Sequence, residues 1–465
     1  MTDMLAGIKV KNLPLTFREA IQIVRKMDIK YLWIDSLCII QKDRADWLAE
    51  SILMEKVYSN ALCNIAATAS VDGSQGLFRE RDPLLLHRVQ FEATFAAIFG
   101  NGEAGMQSFT SLIGNYWEHE LDKAPLNRRA WVLQERLLAR RVLHYNTKEL
   151  MWECREHTAS ETYPKGFPTQ LGSVFFKDLN PHSTRTSATH MDIRRGQSEG
   201  AYALWSNIQT FYSTCKLTKA EDKLIALSGI AKKFQTLTGD TYVAGMWLKL
   251  LARQILWDSG KVFQHRASEE PTREDRSVYR APSFSWASVD RPTDISNASD
   301  PGLLISVDHV VVEGVNGDTT GMLKTASLDL HGTLKLVEFR RRDLRGDKYM
   351  WKTYIGGVRV RQHWRDPHVL LDQSGRDLAL LCAARRLFYM PARRYTVKSN
   401  ANEHLACLLL ELLELETITF RRIGLLTAWI SDMLPPLLAT QADECLLPCT
   451  TYDPKAERPH TLLLV

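Results

Sequence analysis

The sequence predicts an α/β fold in the N-terminal third of the chain, followed by a helical region and a β-containing C-terminal region. Three observations predict it. Amphipathic-helix and buried-strand patterns alternate over the first 80 residues, a helix and a strand pair follow between residues 125 and 154, and short β-rich segments dominate after residue 280. Helices that alternate with apolar strands favour a mostly parallel, flavodoxin-like sheet flanked by helices.

Length and composition indicate an ordinary globular protein. The chain has 465 residues, 45% of them apolar and 24% charged, which is enough for two or three domains. A net charge of +5 without a concentrated basic face does not indicate a nucleic-acid partner. The eight cysteines form no CxxC pair, so neither a metal site nor a disulfide framework is predicted. Without a signal-peptide pattern or an 18-residue apolar run, we expect no membrane association and a cytoplasmic location.

The first elements follow from local patterns. A helix is predicted to begin near Thr16, three residues before Glu19, which is the spacing of a capping box. YLWIDSLCII, residues 31–40, is predicted to be a strand, RADWLAESILMEKVYSNA a helix, and LCNIAATAS a further strand. Asp35 would then lie at the carboxyl end of its strand, where ligands bind in such sheets, or cap the following turn. Cys38 is expected to pack in the core.

The second informative stretch is residues 125–154. It predicts a helix from about Asn127 to Arg141 and then a hairpin formed by RVLHY and ELMWEC. Trp131 and Glu135 are four residues apart and therefore share a helix face. A helical wheel gathers three arginines on a cationic face, which either binds phosphates or an acidic partner or is simply solvated: Arg129, Arg136 and Arg140.

Composition shifts divide the chain into four parts. Residues 1–155 form the α/β domain, and residues 156–200, which are rich in Ser, Thr, Gly, Pro and charge, form a linker or surface excursion. Residues 201–280 are predicted to be helical and residues 281–465 to be β-rich.

A family resemblance runs through these blocks. LPLTFREAI, YLWIDSLCIIQKDRADWLAESILMEKVYSNA, IAATAS, GLFRERDP, RRAWVLQERLLARRVLHY and MWEC, in this order, resemble the fungal heterokaryon incompatibility (HET) domain. The resemblance is strong over residues 8–155 and moderate over residues 200–290. It implies a role in fungal nonself recognition and programmed cell death. It also implies other HET-domain or incompatibility proteins as partners and association into homo-oligomers.

The HET domain is in turn similar to the TIR fold, many of whose members hydrolyse NAD. WVLQE resembles the TIR helix on which a catalytic glutamate follows a tryptophan by four residues, so the resemblance implies that Glu135 is catalytic. A carboxylate beside the nicotinamide ribose would stabilise the oxocarbenium-like transition state. Asp35 would assist it, Trp131, Arg129 and Arg136 would bind the ligand, and NAD would be a substrate with no separate cofactor.

Two alternatives to the enzyme stay open. HET domains usually begin with a strand similar to YxALSYxWG, and this chain begins after that segment. The chain is then either a non-catalytic HET interaction or regulatory module, or a degenerate member of the family. An enzyme predicts that Glu135 and Asp35 converge on one pocket, whereas a non-catalytic module predicts Glu135 exposed on a flat face.

Overall fold

The computed structural model describes most of the chain. The described residues are 7–86, 90–93, 107–110, 115–168, 197–259, 279–295, 302–342, 350–361, 367–372, 378–396, 403–429, 435–439 and 444–465. The chain forms two compact units. Unit 1 comprises residues 1–184 and 215–217, and unit 2 comprises residues 185–214 and 218–465. Most of the segment 156–200, predicted to be a linker, lies outside the described residues.

Unit 1 is a mixed α/β unit. Its helices are α1 (Leu15–Lys26), α2 (Asp35–Cys38), α3 (Arg44–Asn60) and α4 (Ala130–Leu138). Its strands are β1 (Asn64–Ala66), β2 (Gln90–Ala93), β3 (Gln107–Thr110), β4 (Arg141–Tyr145), β5 (Leu150–Cys154) and β6 (Thr158–Ser160). The predicted helices near Thr16, Arg44 and Asn127, and the predicted hairpin after them, are confirmed.

The main sheet of unit 1 has the strand order β1-β4-β5-β6. The pair β1 and β4 is parallel, with Ala66 opposite His144, whereas β4–β5 and β5–β6 are antiparallel. The α/β class is therefore confirmed, and the mostly parallel sheet holds for one of the three pairings. The β4–β5 pair is antiparallel because RVLHY and ELMWEC are joined by a tight turn, which can link only antiparallel neighbours.

Helix α1 begins where the sequence predicts, but its cap is different. The residue before it is Pro14, which makes no side-chain cap, and the Thr16 hydroxyl donates to Gly73 O. The carboxylate of Glu19 accepts the backbone N–H groups of Leu77 and Phe78. The predicted capping box is therefore wrong, because Glu19 instead fixes a loop 58 residues away in the sequence.

The segment YLWIDSLCII is not a strand. The N–H groups of Leu37 and Cys38 donate to Ile34 O at 3.0 and 2.9 Å, which closes the single helical turn α2. Asp and Ser at its start favour this turn, because their side chains hydrogen-bond nearby N–H groups in competition with a sheet ladder. Both Asp35 and Cys38 are exposed, so the predictions of a strand-end Asp35 and a core Cys38 are wrong.

Unit 2 begins with helical segments and ends in a β-rich region, as predicted. The first elements are α5 (Gln197–Ser213), α6 (Ser228–Thr238), β7 (Tyr242–Val243), β8 (Met246–Trp247) and α7 (Leu251–Gln254). Then follow β9 (Ser306–Gly314), β10 (Leu323–Gly332), β11 (Lys335–Leu336), β12 (Glu338–Arg342), β13 (Met350–Ile355), β14 (Val358–Val360) and β15 (His368–Leu371). The last elements are α8 (Leu378–Ala383), β16 (Leu387–Thr396), β17 (Glu403–Glu414), β18 (Thr419–Trp429), β19 (Thr451–Tyr452) and β20 (His460–Leu464).

The large sheet of unit 2 is nine-stranded and encloses a dense apolar core. Its main path is β11-β16-β17-β18-β20-β10-β9, with β15 on β18 and β19 on β20. Arg422 is buried in this unit and donates to Ile255 O, Trp257 O and Asp372 Oδ1 at 2.6, 2.7 and 3.1 Å. Its guanidinium lies 3.5 Å from the centre of the Trp257 ring, which adds a cation–π contact to these hydrogen bonds. Among the described residues, the helices are all too short or too polar to span a bilayer.

Candidate functional site

Unit 1 contains a cavity of about 610 Å³, a volume typical of small-molecule sites. Its walls come from α1, the segment before α2, α3, β1, α4 and β4. Apolar side chains form much of the lining, and ionisable groups interrupt them, among which are Asp35, Lys56, Tyr58, Asp72, Arg129, Glu135, Arg136 and His144. An apolar cavity with a small convergent polar set is the usual form of a ligand site.

Glu135 lies on this cavity, on α4. It is partly buried, and burial together with the charge of Asp35 raises its pKa to about 7 against the opposing effects of a Tyr58 hydrogen bond and the charge of Arg129. Near neutral pH this carboxyl group therefore exists in both protonation states. A carboxyl group with such a pKa in a cavity is a candidate for acid, base or electrostatic chemistry.

Asp35 lines the same cavity, although it reaches it from a helical turn and not from a strand end. Its Oδ1 accepts a hydrogen bond from the N–H of Ser36 at 2.7 Å. Its second oxygen is not used in this bond. Its charge acts on Glu135 and on Tyr58. The two carboxylates therefore converge on one cavity, in the arrangement that the enzyme interpretation predicts.

Trp131 has a different place. Its ring packs edge to face against Trp47 of α3, with 6.0 Å between ring centres. Among the described residues that line the cavity, Trp131 is absent. The tryptophan that lines the cavity is instead Trp33, which packs against Tyr58 with 5.7 Å between ring centres.

The three arginines predicted to share a face are separated. Arg129 and Arg140 are exposed, whereas Arg136 is only 2% exposed. The helical wheel predicted a cationic face, but α4 is buried around most of its circumference, so this helix has no solvated cationic face. Of the three, Arg129 and Arg136 line the cavity, and only Arg129 offers an exposed guanidinium.

Arg136 is held in a buried polar network. Its Nε and one terminal nitrogen donate to the Glu153 carboxylate at 2.8 and 3.2 Å, and the other nitrogen donates to Asp122 Oδ1 at 2.9 Å. Glu153 Oε2 lies 3.3 Å from His144 Nε2, and His144 Nδ1 lies 3.0 Å from Thr68 Oγ1. This network joins α4 to β4 and β5 and fixes the helix that carries Glu135.

Tyr58 is the site residue that sequence reasoning missed as a functional group. It lies near the end of α3, and its hydroxyl hydrogen-bonds with the Glu135 carboxylate. Burial and that carboxylate both raise the pKa of Tyr58 above its ordinary value, so it remains a neutral donor. The sequence signal that could have identified Tyr58 is a tyrosine in a helix that packs on the core, because a buried hydroxyl group needs a hydrogen-bond partner.

The arrangement can stabilise developing positive charge. Ionised Glu135, flanked by Asp35 and oriented by the Tyr58 hydroxyl, forms an anionic wall in a largely apolar cavity. Electrostatic stabilisation in such surroundings is stronger than in water. This suits a reaction in which a cation-like centre forms beside the carboxylate.

Comparison with known proteins agrees with the N-terminal residue patterns. Residues 2–135 match the model of a family described as heterokaryon incompatibility protein (HET). No curated protein and no solved structure matches the chain significantly. The matched segment contains both Asp35 and Glu135. The N-terminal region of this chain, residues 2–135, is therefore similar to heterokaryon incompatibility (HET) domains.

Proposed function

We propose that the chain is an effector of fungal nonself recognition that hydrolyses NAD at Glu135 and thereby causes programmed cell death. The observation that carries this proposal is the convergence of Asp35 and Glu135 on one apolar cavity, with Tyr58 as hydrogen-bond partner of Glu135. The HET match over residues 2–135 supports the incompatibility role.

The proposed reaction breaks the bond between C1′ of the ribose and the nicotinamide nitrogen. Nicotinamide leaves with the bonding electron pair, an oxocarbenium-like ribose forms, and a water molecule adds to C1′ and gives up a proton. Ionised Glu135 stabilises the positive charge that develops on the ribose. Asp35 accepts a hydrogen bond from a ribose hydroxyl, and Trp33 and the apolar walls exclude water from the rest of the ring.

The test compares cells that express the full chain with cells that express Glu135→Gln. Glutamine keeps the shape of the side chain and accepts from Tyr58, so the fold is retained while the negative charge is lost. We expect NAD consumption to fall about 100-fold or more, together with loss of the growth arrest. Glu156→Gln is the matched control, because Glu156 is an exposed glutamate that does not line the cavity.

A second candidate is a non-catalytic HET interaction module. Apolar side chains at the cavity rim favour it, since Tyr31 is 88% exposed and Val71 is 71% exposed. This candidate predicts that wild type and Glu135→Gln arrest growth equally while cellular NAD stays constant. Equal arrest by both chains without NAD loss would therefore overturn the enzymatic proposal.

A further inference from the structure

A second cavity, of about 420 Å³, adjoins the Glu135 cavity in unit 1. The two cavities share Val71 and Arg129. Apart from Val71 and Pro125, the lining of the second cavity is cationic: Lys123, Arg128, Arg129 and Lys216. We refer to it as the cationic pocket.

The cationic pocket carries an excess of positive charge. Lys123 pairs with Glu118 at 2.9 Å. Within the described part of the chain, no carboxylate forms an ion pair with the other three cations, and all three are exposed. Like charges brought together without acids repel one another, and a bound anion relieves that repulsion.

The pocket is built by backbone hydrogen bonds between distant segments. Lys216 N donates to Arg128 O at 2.6 Å, and Ala130 N donates to Lys216 O at 3.0 Å. The thiol of Cys215 lies 3.7 Å from Asn127 O on the same side of this junction. The backbone of Lys216 is therefore held beside Arg128 and Arg129. Lys216 and Arg129 are 87 residues apart in the sequence.

We propose that the cationic pocket binds the diphosphate of a dinucleotide whose ribose lies at Glu135. This inference rests on the proposed function and specifies its substrate as a phosphate-bearing nucleotide. In a nicotinamide dinucleotide the diphosphate is attached to C5′ of the ribose that reacts at C1′. A diphosphate site must therefore adjoin the reacting carboxylate, and Arg129 occupies that junction. Guanidinium and ammonium groups are the usual partners of phosphate oxygens.

Binding to the full chain tests the pocket independently of hydrolysis. Isothermal titration measures the affinities of pyrophosphate, ADP-ribose and nicotinamide riboside for wild type, Arg128→Gln and Lys216→Gln. We expect each variant to bind the two phosphate-bearing probes about tenfold more weakly, since one charge-assisted contact is lost, and nicotinamide riboside unchanged. Arg25→Gln, which removes an exposed arginine of α1 outside both cavities, is the matched control and keeps wild-type affinity.

Three results would overturn the diphosphate site: wild type binds neither pyrophosphate nor ADP-ribose, both variants bind them as wild type does, or Arg25→Gln weakens binding equally. NAD turnover separates this proposal from the function on which it rests. If wild type cleaves NAD with a KM that neither variant changes, the enzyme stands and the pocket assignment falls. If ADP-ribose binds through Arg128 and Lys216 while NAD stays intact, the pocket stands and the hydrolase falls.

Discussion

Glu135 and Arg136 are neighbours on helix α4, yet their charges meet opposite surroundings. Arg136 is buried and donates to two carboxylates, Glu153 and Asp122, so its charge is compensated on every side that it presents. Glu135 faces a cavity with a second carboxylate, Asp35, and its main direct partner is a neutral tyrosine. One turn of helix thus carries Arg136, whose charge is paired with carboxylates, and Glu135, whose negative charge lies near a second carboxylate.

The difference separates structural from functional charge. A buried ion that is fully paired holds elements together, whereas a carboxyl group whose pKa is raised in a cavity remains available for chemistry. Arg422 of unit 2 is also paired, because two carbonyl oxygens and Asp372 accept its N–H groups and the Trp257 ring faces its guanidinium. With one carboxylate in place of two, burial still lowers its pKa. Compensation therefore distinguishes the buried arginines from the candidate catalytic acid better than burial does.

The largest expected effect on stability comes from removing Arg136, whose charge is compensated. Arg136→Met removes the cation between Glu153 and Asp122 and leaves both carboxylates buried without it. We expect a loss of about 3–5 kcal/mol in the free energy of unfolding. Urea-induced unfolding of the full chain measures it.

Two companion variants sharpen this prediction. Arg140→Met removes an exposed arginine four residues further along and should change stability by less than about 0.5 kcal/mol. Adding Glu153→Gln to Arg136→Met should recover part of the loss, because one uncompensated charge disappears with it. A loss for Arg140→Met as large as for Arg136→Met would remove the distinction between the two arginines.

Removing the charge of Glu135, which is not compensated, should have a smaller effect of opposite sign on the free energy of unfolding. The pKa of Glu135 is about 7 in the folded chain and near its ordinary 4.5 in the unfolded chain. As pH rises from 4.5 to 7, the unfolded state releases this proton first, so the wild-type free energy of unfolding declines through that interval. Glu135→Gln has no such proton and should be more stable than wild type above pH 7, by on the order of 2 kcal/mol.

Unfolding curves at several pH values measure this difference. Below pH 4.5 the advantage of Glu135→Gln should vanish, since the wild-type carboxyl group is then neutral in both states. Glu156→Gln, which removes an exposed carboxylate, should follow the wild-type curve. A Glu135→Gln chain that is less stable than wild type at pH 8 would show that the charge of Glu135 is compensated after all.

Periodicity and turn patterns predicted α1, α3, α4, β1 and the hairpin of β4 and β5, because those signals are local. The tertiary partners of their side chains are not local. Glu19 was expected to cap its own helix but fixes Leu77 and Phe78 instead, because a hydrogen-bond acceptor is used wherever the fold brings a free N–H group. The apolar run around Asp35 failed as a strand because apolar composition alone does not distinguish a strand from a short helical turn.

The candidate site was predicted in part. Glu135 was identified through a motif resemblance, and Asp35 through an expected position at the end of a strand. Asp35 lines the cavity from a helical turn instead. Arg136 was placed on a cationic face that either binds a ligand or is solvated. Its partners Asp122 and Glu153 lie 14 and 17 residues away in the sequence, so the local pattern could not reveal them. Lys216 carried no sequence signal, since only the fold places it beside Arg128.

The smallest expected effect comes from tuning Glu135 without removing its charge. Tyr58→Phe deletes the hydrogen bond that lowers the pKa of Glu135, so that pKa should rise further and the decline in stability should extend to higher pH. Asp35→Asn deletes a neighbouring negative charge, so the decline should end at lower pH. The two variants shift the pKa of Glu135 in opposite directions, whereas general damage to the cavity would shift both stability curves in the same direction. Shifts of both curves in one direction would therefore contradict the raised pKa of Glu135. If the chain hydrolyses NAD through ionised Glu135, the rising limb of kcat/KM against pH should move with each stability curve, which ties the electrostatics of the cavity to its chemistry.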